Sequence, residues 1–354
     1  MKIFRIGIIG CGTIFPMHAQ SIKQLEQSIV HSPQSTVKNP KLAAVCDIRP
    51  GRAKRAAARY KCSYYDDYEE MFCKENLDSV HICTPHYLHM PMVLEAAKRK
   101  INILTEKPMG LDPKQAQREI DAVEANGVAF SVISQNRFNP GSKLIKRRVS
   151  DGSLGKLKSA RLVLSYHKPD SYYKKSDWKG RMDKEGGGVV IDQAIHYIDI
   201  IRWITPSPVD YVEASAHNRM HSFINVEDSA EGVIKFKNGF YVCFYLINYY
   251  SYDADTQIEI DCEKARVRIV KDSAYIGYYA GRTEKAEPRK DEYMDYGDGV
   301  RDYWGYCHFN QIKDFYESLN SGRQPAITSK DAKKTQELVW AIYESSKRNK
   351  RVYF

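Results

Sequence analysis

A chain of 354 residues exceeds the usual size of one hydrophobic core, so two domains are expected. Hydrophobic residues make up 43% and charged residues 28%, as in an ordinary globular chain, and no apolar run approaches the ~18 residues of a membrane helix. The net charge of +10 raises nucleic acid as a partner, yet acidic residues are interleaved throughout and no nucleic-acid motif accompanies the basic clusters Lys143 to Arg148 and Lys347 to Arg351.

The first part of the chain alternates strand and helix. Phe4 to Ile9 is a short apolar run, followed by Gly10-Cys11-Gly12 and a helix carrying His18 to Leu25. Lys41 to Cys46 is the next strand and ends in Asp47; Ala-rich Gly51 to Tyr60 and Asp66 to Cys73 are helices. Ser79 to Cys83 stops at Thr84-Pro85, and a helix follows over His89 to Arg99. Ile101 to Leu104 stops at Glu106-Lys107-Pro108, and Asp112-Pro113 supplies the preferred start of another helix. Val128 to Ile133 closes the series. This rhythm implies a parallel sheet covered on both faces.

Beyond residue 136 the pattern becomes long and alternating: Lys156 to His167, Val209 to Asn218, Glu227 to Phe236, Phe240 to Tyr249, Thr256 to Cys262 and Ala265 to Val270. Lys237-Asn238-Gly239 is a hairpin signal, because Asn-Gly supplies the positive φ of a tight turn. These segments predict a largely antiparallel sheet, with helices over Val189 to Trp203, His308 to Ser321 and Lys330 to Lys347. Tyr275 to Trp304 lacks a clear period and reads as loop. The fold class is therefore α/β: a dinucleotide-binding domain over 1–135 and a substrate-binding α/β domain over 136–354, whose terminal helices are free to pack back toward the first.

Gly10-Cys11-Gly12 sits where a glycine-rich backbone can approach a pyrophosphate at a helix N-terminus. The match to G-x-G-x-x-G/A is partial, since Phe15 falls at the third small position. Asp47 at the end of the second strand can accept hydrogen bonds from the adenosine ribose and would repel a 2′-phosphate, favouring NAD; Arg49 keeps NADP as the alternative. Asp47 lies beyond the ~20 residues usual after the glycine turn, and the extra length falls in Ser28 to Asn39, read as an inserted surface loop. Thr84 and Glu106-Lys107-Pro108 lie at carboxyl ends of parallel strands, the edge where such sheets bind ligands. The proline biases Lys107 toward extended backbone, and its ammonium could stabilise an alkoxide as it forms. On a helix Asp192 and His196 would share a face, a carboxylate and imidazole suited to moving a hydroxyl proton, and Gly186-Gly187-Gly188 permits close approach of backbone to a ligand. The eight cysteines include no Cys-x-x-Cys pair and read as reduced thiols, so neither a disulfide frame nor a metal site is expected.

Gly10-Cys11-Gly12 with His18, Cys83-Thr84-Pro85 with His89, Glu106-Lys107-Pro108, and Gly187-Gly188 with Asp192, His196 and Asp199 together resemble the Gfo/Idh/MocA oxidoreductase family. The likeness extends to Gly322-Arg323-Gln324-Pro325 and the last helix. It implies a Rossmann domain followed by an α/β domain whose open sheet forms a homodimer or homotetramer interface. Lys107 would be the catalytic lysine, and Asp192 and His196 the substrate-contacting pair, with His196 the proton acceptor. Gly10, Gly12, Thr13, Ile14, Asp47, Arg49, Thr84, His89, Glu106 and Lys107 would line the cofactor; Tyr172-Tyr173 through Trp178-Lys179-Gly180 resembles a substrate loop of part of the family, with Trp178 and Arg181 as contacts.

The expected activity is NAD-dependent hydride transfer to or from a secondary hydroxyl of a sugar, inositol or related polyol. The chain is expected to act in the cytoplasm, with neither membrane nor nucleic acid as partner. The positive charge favours an anionic substrate such as a uronic acid or nucleotide sugar by steering. Two rivals share the fold: a redox-neutral lyase or glycosidase that oxidises its substrate transiently, and a noncatalytic cofactor-dependent sensor. Retention of Lys107, Asp192 and His196 speaks against the sensor.

Overall fold

The computed structural model describes residues 3–30, 39–289, 294, 296, 300 and 307–354. The chain divides into two compact units: Met1–Gln135 with Met294–Lys333, and Asn136–Tyr293 with Lys334–Phe354. Residues 294–333, placed by sequence in the second domain, thus cluster with the first. The surface loop expected over Ser28 to Asn39 lies largely outside the described residues, as does the end of the Tyr275 to Trp304 segment.

In the first unit β1 (Ile3–Ile9), β2 (Asn39–Cys46), β3 (Ser63–Tyr65), β4 (Ser79–Ile82), β5 (Asn102–Thr105) and β6 (Phe130–Val132) form one sheet, order β3-β2-β1-β4-β5-β6. Every pairing is parallel. Ile6, Ile8, Val45, Val80, Ile82, Ile103 and Leu104 are fully buried, as expected of strands covered on both faces. β3 has no forecast in the sequence. It is a three-residue edge strand with no buried side chain, so it offers no apolar period to read. The helix Pro113–Asn126 starts as foreseen: Asp112 accepts from the Lys114 and Gln115 N–H groups at 2.8 and 2.9 Å, and the helix ends at Gly127 with φ 65°. The helix His308–Ser321 belongs to this unit, its Ile312, Phe315 and Tyr316 joining Phe4, Ile8, Ala19 and Ile22 in one core. Strand order reverses between β1 and β4. That is the point where an open parallel sheet leaves a crevice at its carboxyl edge.

The second unit is built on nine strands: β7 (Leu157–Ser165), β8 (Val209–His217), β9 (Ser229–Phe236), β10 (Tyr241–Ile247), β11 (Gln257–Cys262), β12 (Ala265–Val270), β13 (Ser273–Tyr278), β14 (Thr283–Ala286) and β15 (Val352–Tyr353). Their order is β14-β13-β12-β11-β7-β10-β9-β8-β15, antiparallel except for the β7/β10 pair. The Asn238-Gly239 turn joins β9 to β10 with Gly239 at φ 90°. β13 and β14 correct the reading of Tyr275 onward as loop: Ala274 and Ile276 alternate inward against exposed Tyr275, a period too short to detect among polar neighbours. One face of the sheet packs on the helices Pro140–Ser150 and Ile195–Ile204 through Leu144, Ile145, Ile198 and Ile201. Along β7 and β10 the alternate positions Val163 and Tyr245 are exposed.

Candidate active site

The glycine turn of the first unit is shaped for close approach. Gly10 has φ 94°, and a Cβ there would sit 2.5 Å from the Cys83 carbonyl oxygen, so no other residue fits. A Cβ on Gly12 would meet nothing nearer than the Arg52 guanidinium at 4.0 Å, which leaves space above the turn for an anionic group. The following helix, Phe15–Val30, has no acidic side chain in its first turn to compete with a phosphate. Phe15 fills the third fingerprint position as a core residue, its ring edge-on to Tyr60. Asp47 is oriented by the backbone: Cys11 N–H donates to Oδ2 at 2.8 Å and Arg49 N–H to Oδ1 at 2.9 Å. Each carboxylate oxygen keeps acceptor capacity for a ribose hydroxyl. Thr13 and Arg49 are exposed, and Ile14, Thr84 and Lys107 are half-buried. These residues fit a dinucleotide, whose nicotinamide, when bound, supplies the hydride chemistry.

His89 and Glu106, expected to line the cofactor, are held by protein partners. His89 is buried, with Nδ1 2.9 Å from the Pro108 carbonyl and Nε2 2.9 Å from that of Thr84, so it ties the two strand-end turns together. The Lys107–Pro108 peptide between them is cis. Glu106 Oε1 lies 2.9 Å from His18 Nε2 and 3.4 Å from His308 Nε2. Burial opposes its charge, but these two rings hold its carboxyl well below the usual range. A carboxylate only accepts, so both rings donate.

The remaining proton positions follow from that. Burial keeps His18 and His81 neutral by lowering both pKa values. His18 Nδ1 must then accept from His81 Nδ1 at 2.9 Å, and His81 Nε2 from the Tyr316 hydroxyl at 2.8 Å. Ser79 completes the line by donating to Tyr316 at 2.8 Å. The ligand atoms of His18, Glu106 and His308 lie within 4.8 Å of one another, a closeness these hydrogen bonds explain.

In the second unit the segment expected as one α-helix opens with a π turn, Val190–Ala194, before Ile195–Ile204. Such turns recur at functional sites. Asp192 falls in the π turn and His196 in the first α turn, both half-buried. The glycines before it serve a different purpose from the one expected. A Cβ on Gly187 would lie 2.0 Å from the Tyr343 hydroxyl, and one on Gly188 1.8 Å from the Glu227 carbonyl oxygen, so the close approach is by the chain itself. Glu227 anchors this end, accepting from Gly188 N–H at 2.8 Å, Val190 N–H at 3.0 Å and Tyr343 Oη at 2.9 Å. Burial nonetheless pushes its carboxyl up to about 7.

Asp192 Oδ2 accepts from the Tyr172 hydroxyl at 2.8 Å, Lys179 Nζ at 3.0 Å and Gln193 Nε2 at 2.5 Å. Burial would lower the Lys179 pKa, but Asp192 and Glu185 raise it, keeping the ammonium charged. Trp178, expected at the substrate, packs its ring 4.3 Å from that ammonium. Arg181, also expected at the substrate, is exposed and pairs with Asp183 at 3.1 Å. Asp199 belongs to the core, held by Arg137 through two hydrogen bonds of 2.5 and 2.6 Å and by Thr335 at 2.5 Å. Glu227 was missed by sequence reading, whereas Tyr172 and Lys179 lie in the segment that resembles a substrate loop without having been named as contacts. The pairing itself depends on how the loop folds.

Residues 4–134 match the family model described as the oxidoreductase family, NAD-binding Rossmann fold, and residues 143–268 match the Gfo/Idh/MocA C-terminal domain. The chain belongs to the Gfo/Idh/MocA oxidoreductase family. Myo-inositol 2-dehydrogenase of Thermotoga maritima is 25% identical over 356 residues, 98% of each chain. The WlbA dehydrogenase from Bordetella pertussis, solved with NADH and UDP-GlcNAcA, shares the fold at TM-score 0.84 and 24% identity, over 100% of this chain and 98% of that one. Levoglucosan dehydrogenase, solved with NADH and levoglucosan, does so at TM-score 0.87 and 19% identity over 99% of each. Within this Gfo/Idh/MocA chain the first unit carries the turn at Gly10, the backbone-held carboxylate of Asp47 and the half-buried Lys107, and the second carries Asp192 and His196.

Proposed function

We propose that this protein is an NAD-dependent dehydrogenase that transfers a hydride between a secondary hydroxyl of a sugar, inositol or sugar derivative and nicotinamide. The observation that carries the reading is the Asp192 carboxylate, fixed by Tyr172 and Lys179 one turn before a half-buried imidazole, in a chain with an NAD-binding family fold. His196 is the base that takes the hydroxyl proton, and Asp192 orients the hydroxyl by accepting from the substrate. Lys107 stabilises the negative charge that develops on the oxygen. NAD is favoured over NADP because the backbone-held Asp47 carboxylate sits where a 2′-phosphate would meet a like charge. The full-length likeness to a myo-inositol 2-dehydrogenase supports a polyol or sugar as substrate. Exposed Val163, Tyr245 and Tyr275 on the open sheet support a homodimer or homotetramer, which light scattering would check.

The test is NADH absorbance while protein and NAD meet inositols, free sugars, glycosides, uronic acids and nucleotide sugars. A signal with one class supports net dehydrogenation. Product without net NADH would replace this reading with the redox-neutral lyase, and silence with NAD bound would overturn it.

A further inference from the structure

The second unit gathers two ammonium groups and two carboxylates around one tyrosine. Lys179 Nζ lies 3.0 Å from Asp192 Oδ2 and 3.5 Å from Glu185 Oε1. The Trp178 and Tyr172 ring centroids stand 4.3 and 4.6 Å from it. Lys168 Nζ is 5.4 Å from the Tyr172 centroid, and the Tyr172 hydroxyl donates to the same Asp192 oxygen that Lys179 reaches. Glu185 is further held by the Gly180 N–H at 2.5 Å. Two positive and two negative groups leave this patch formally neutral. The nearby acids are committed elsewhere: Glu227 to the N–H groups of Gly188 and Val190, and Asp228 to those of Arg219, Met220 and His221 and to the His221 ring.

We propose that the Lys179–Asp192–Glu185 cluster makes the substrate site selective for uncharged polyols bearing adjacent hydroxyls, against the uronate forms of the same rings. The inference rests on the reading that Asp192 and His196 hold the substrate. An ammonium has three N–H donors and a carboxylate about four acceptor sites. Lys179 directs two donors at Asp192 and Glu185, which leaves one for a substrate oxygen while Asp192 accepts from the neighbouring hydroxyl. An anionic substrate would need a cation whose charge is not already matched, and the Lys179 charge is matched by half-buried Asp192 and by buried Glu185. The net charge of +10 argues the other way, but it is spread over the whole chain and screened beyond about 8–10 Å, whereas both carboxylates lie within 4 Å of Lys179 Nζ.

Methyl β-D-glucoside and methyl β-D-glucuronide differ only in an alcohol or carboxylate at one carbon, and myo-inositol carries alcohols alone. NAD reduction with these three is followed for the wild type, Lys179→Met and Glu185→Gln, with NAD binding and thermal melting as checks of folding. The expected wild-type kcat/KM favours a neutral probe over the glucuronide by at least about 10-fold, the size of one unfavourable charge contact. Glu185→Gln leaves Lys179 less balanced and should narrow that gap; Lys179→Met should lower kcat/KM for the neutral probes. Burial pushes the Glu185 carboxyl up despite Lys179, so lowering the pH should narrow the wild-type gap in the same direction as Glu185→Gln. A wild-type preference for the glucuronide, or an unchanged gap in Glu185→Gln, overturns the inference and leaves the dehydrogenase reading standing. Silence with every probe while NAD binds overturns both.

Discussion

Each unit encloses a polar cluster, and the two satisfy it by different means. In the first, a single anion, Glu106, terminates a line of neutral donors from Ser79 through Tyr316, His81 and His18, all buried. In the second, charged groups are paired: Lys179 with half-buried Asp192 and with buried Glu185. Isolated buried charge is expensive, so a closed interior favours neutral imidazoles whose tautomers fix direction. Ions persist in the second because each is paired and hydrogen-bonded, which offsets part of their desolvation penalty. On the proposed reading the first cluster supports geometry and the second handles the reacting molecule.

The strongest way to break this comparison is by rate. His196→Asn or Lys107→Ala should lower turnover by roughly 10²- to 10⁴-fold, the usual effect of losing one positioned acid/base group, while NAD affinity by fluorescence titration stays near wild type. If His81→Phe lowers kcat as far in a protein that melts normally, the first cluster takes part in chemistry and the division of labour fails.

Stability comes next. Arg137→Met removes the bidentate partner of Asp199, whose pKa Arg137 holds below its ordinary value against the effect of burial, and leaves Arg202 at 3.7 Å and Thr335. Breaking a buried pair this way costs about 3–5 kcal/mol, readable from a urea midpoint. Tyr316→Phe removes the donor to His81 Nε2 and should cost about 1–3 kcal/mol by the same measurement, without a change in KM. A cost near zero would mean that the line of donors is not holding the first unit together.

The smallest effect concerns Glu119, buried in the helix Pro113–Asn126, where burial raises its carboxyl well above the ordinary value despite the Gly110 backbone. A folded-state pKa above the unfolded one means that stability is fully present below the unfolded value and is lost as pH rises through the window between them. Glu119→Leu should therefore melt higher than wild type at neutral pH, with the difference shrinking toward pH 4. An equal gap at both pH values would show that Glu119 does not titrate on unfolding.

The alternation of apolar runs and turn residues determined by itself that a parallel sheet precedes a mainly antiparallel one, because strand periodicity and caps such as Asp112 are local properties of the chain. Gly10, Asp47, Lys107, Asp192 and His196 were legible for the same reason: each sits at a strand end or on a helix whose position the pattern fixes. Tertiary structure decided what lies many residues apart. It assigned Gly187 and Gly188 to the approach of Tyr343 and Glu227, turned Arg181 outward, and brought Lys179 to Asp192. It also closed the Glu106 cluster with His308 and Tyr316 from a helix just over two hundred residues further along the chain. Such contacts depend on loop paths and on packing, and no periodicity in the sequence records where a loop returns.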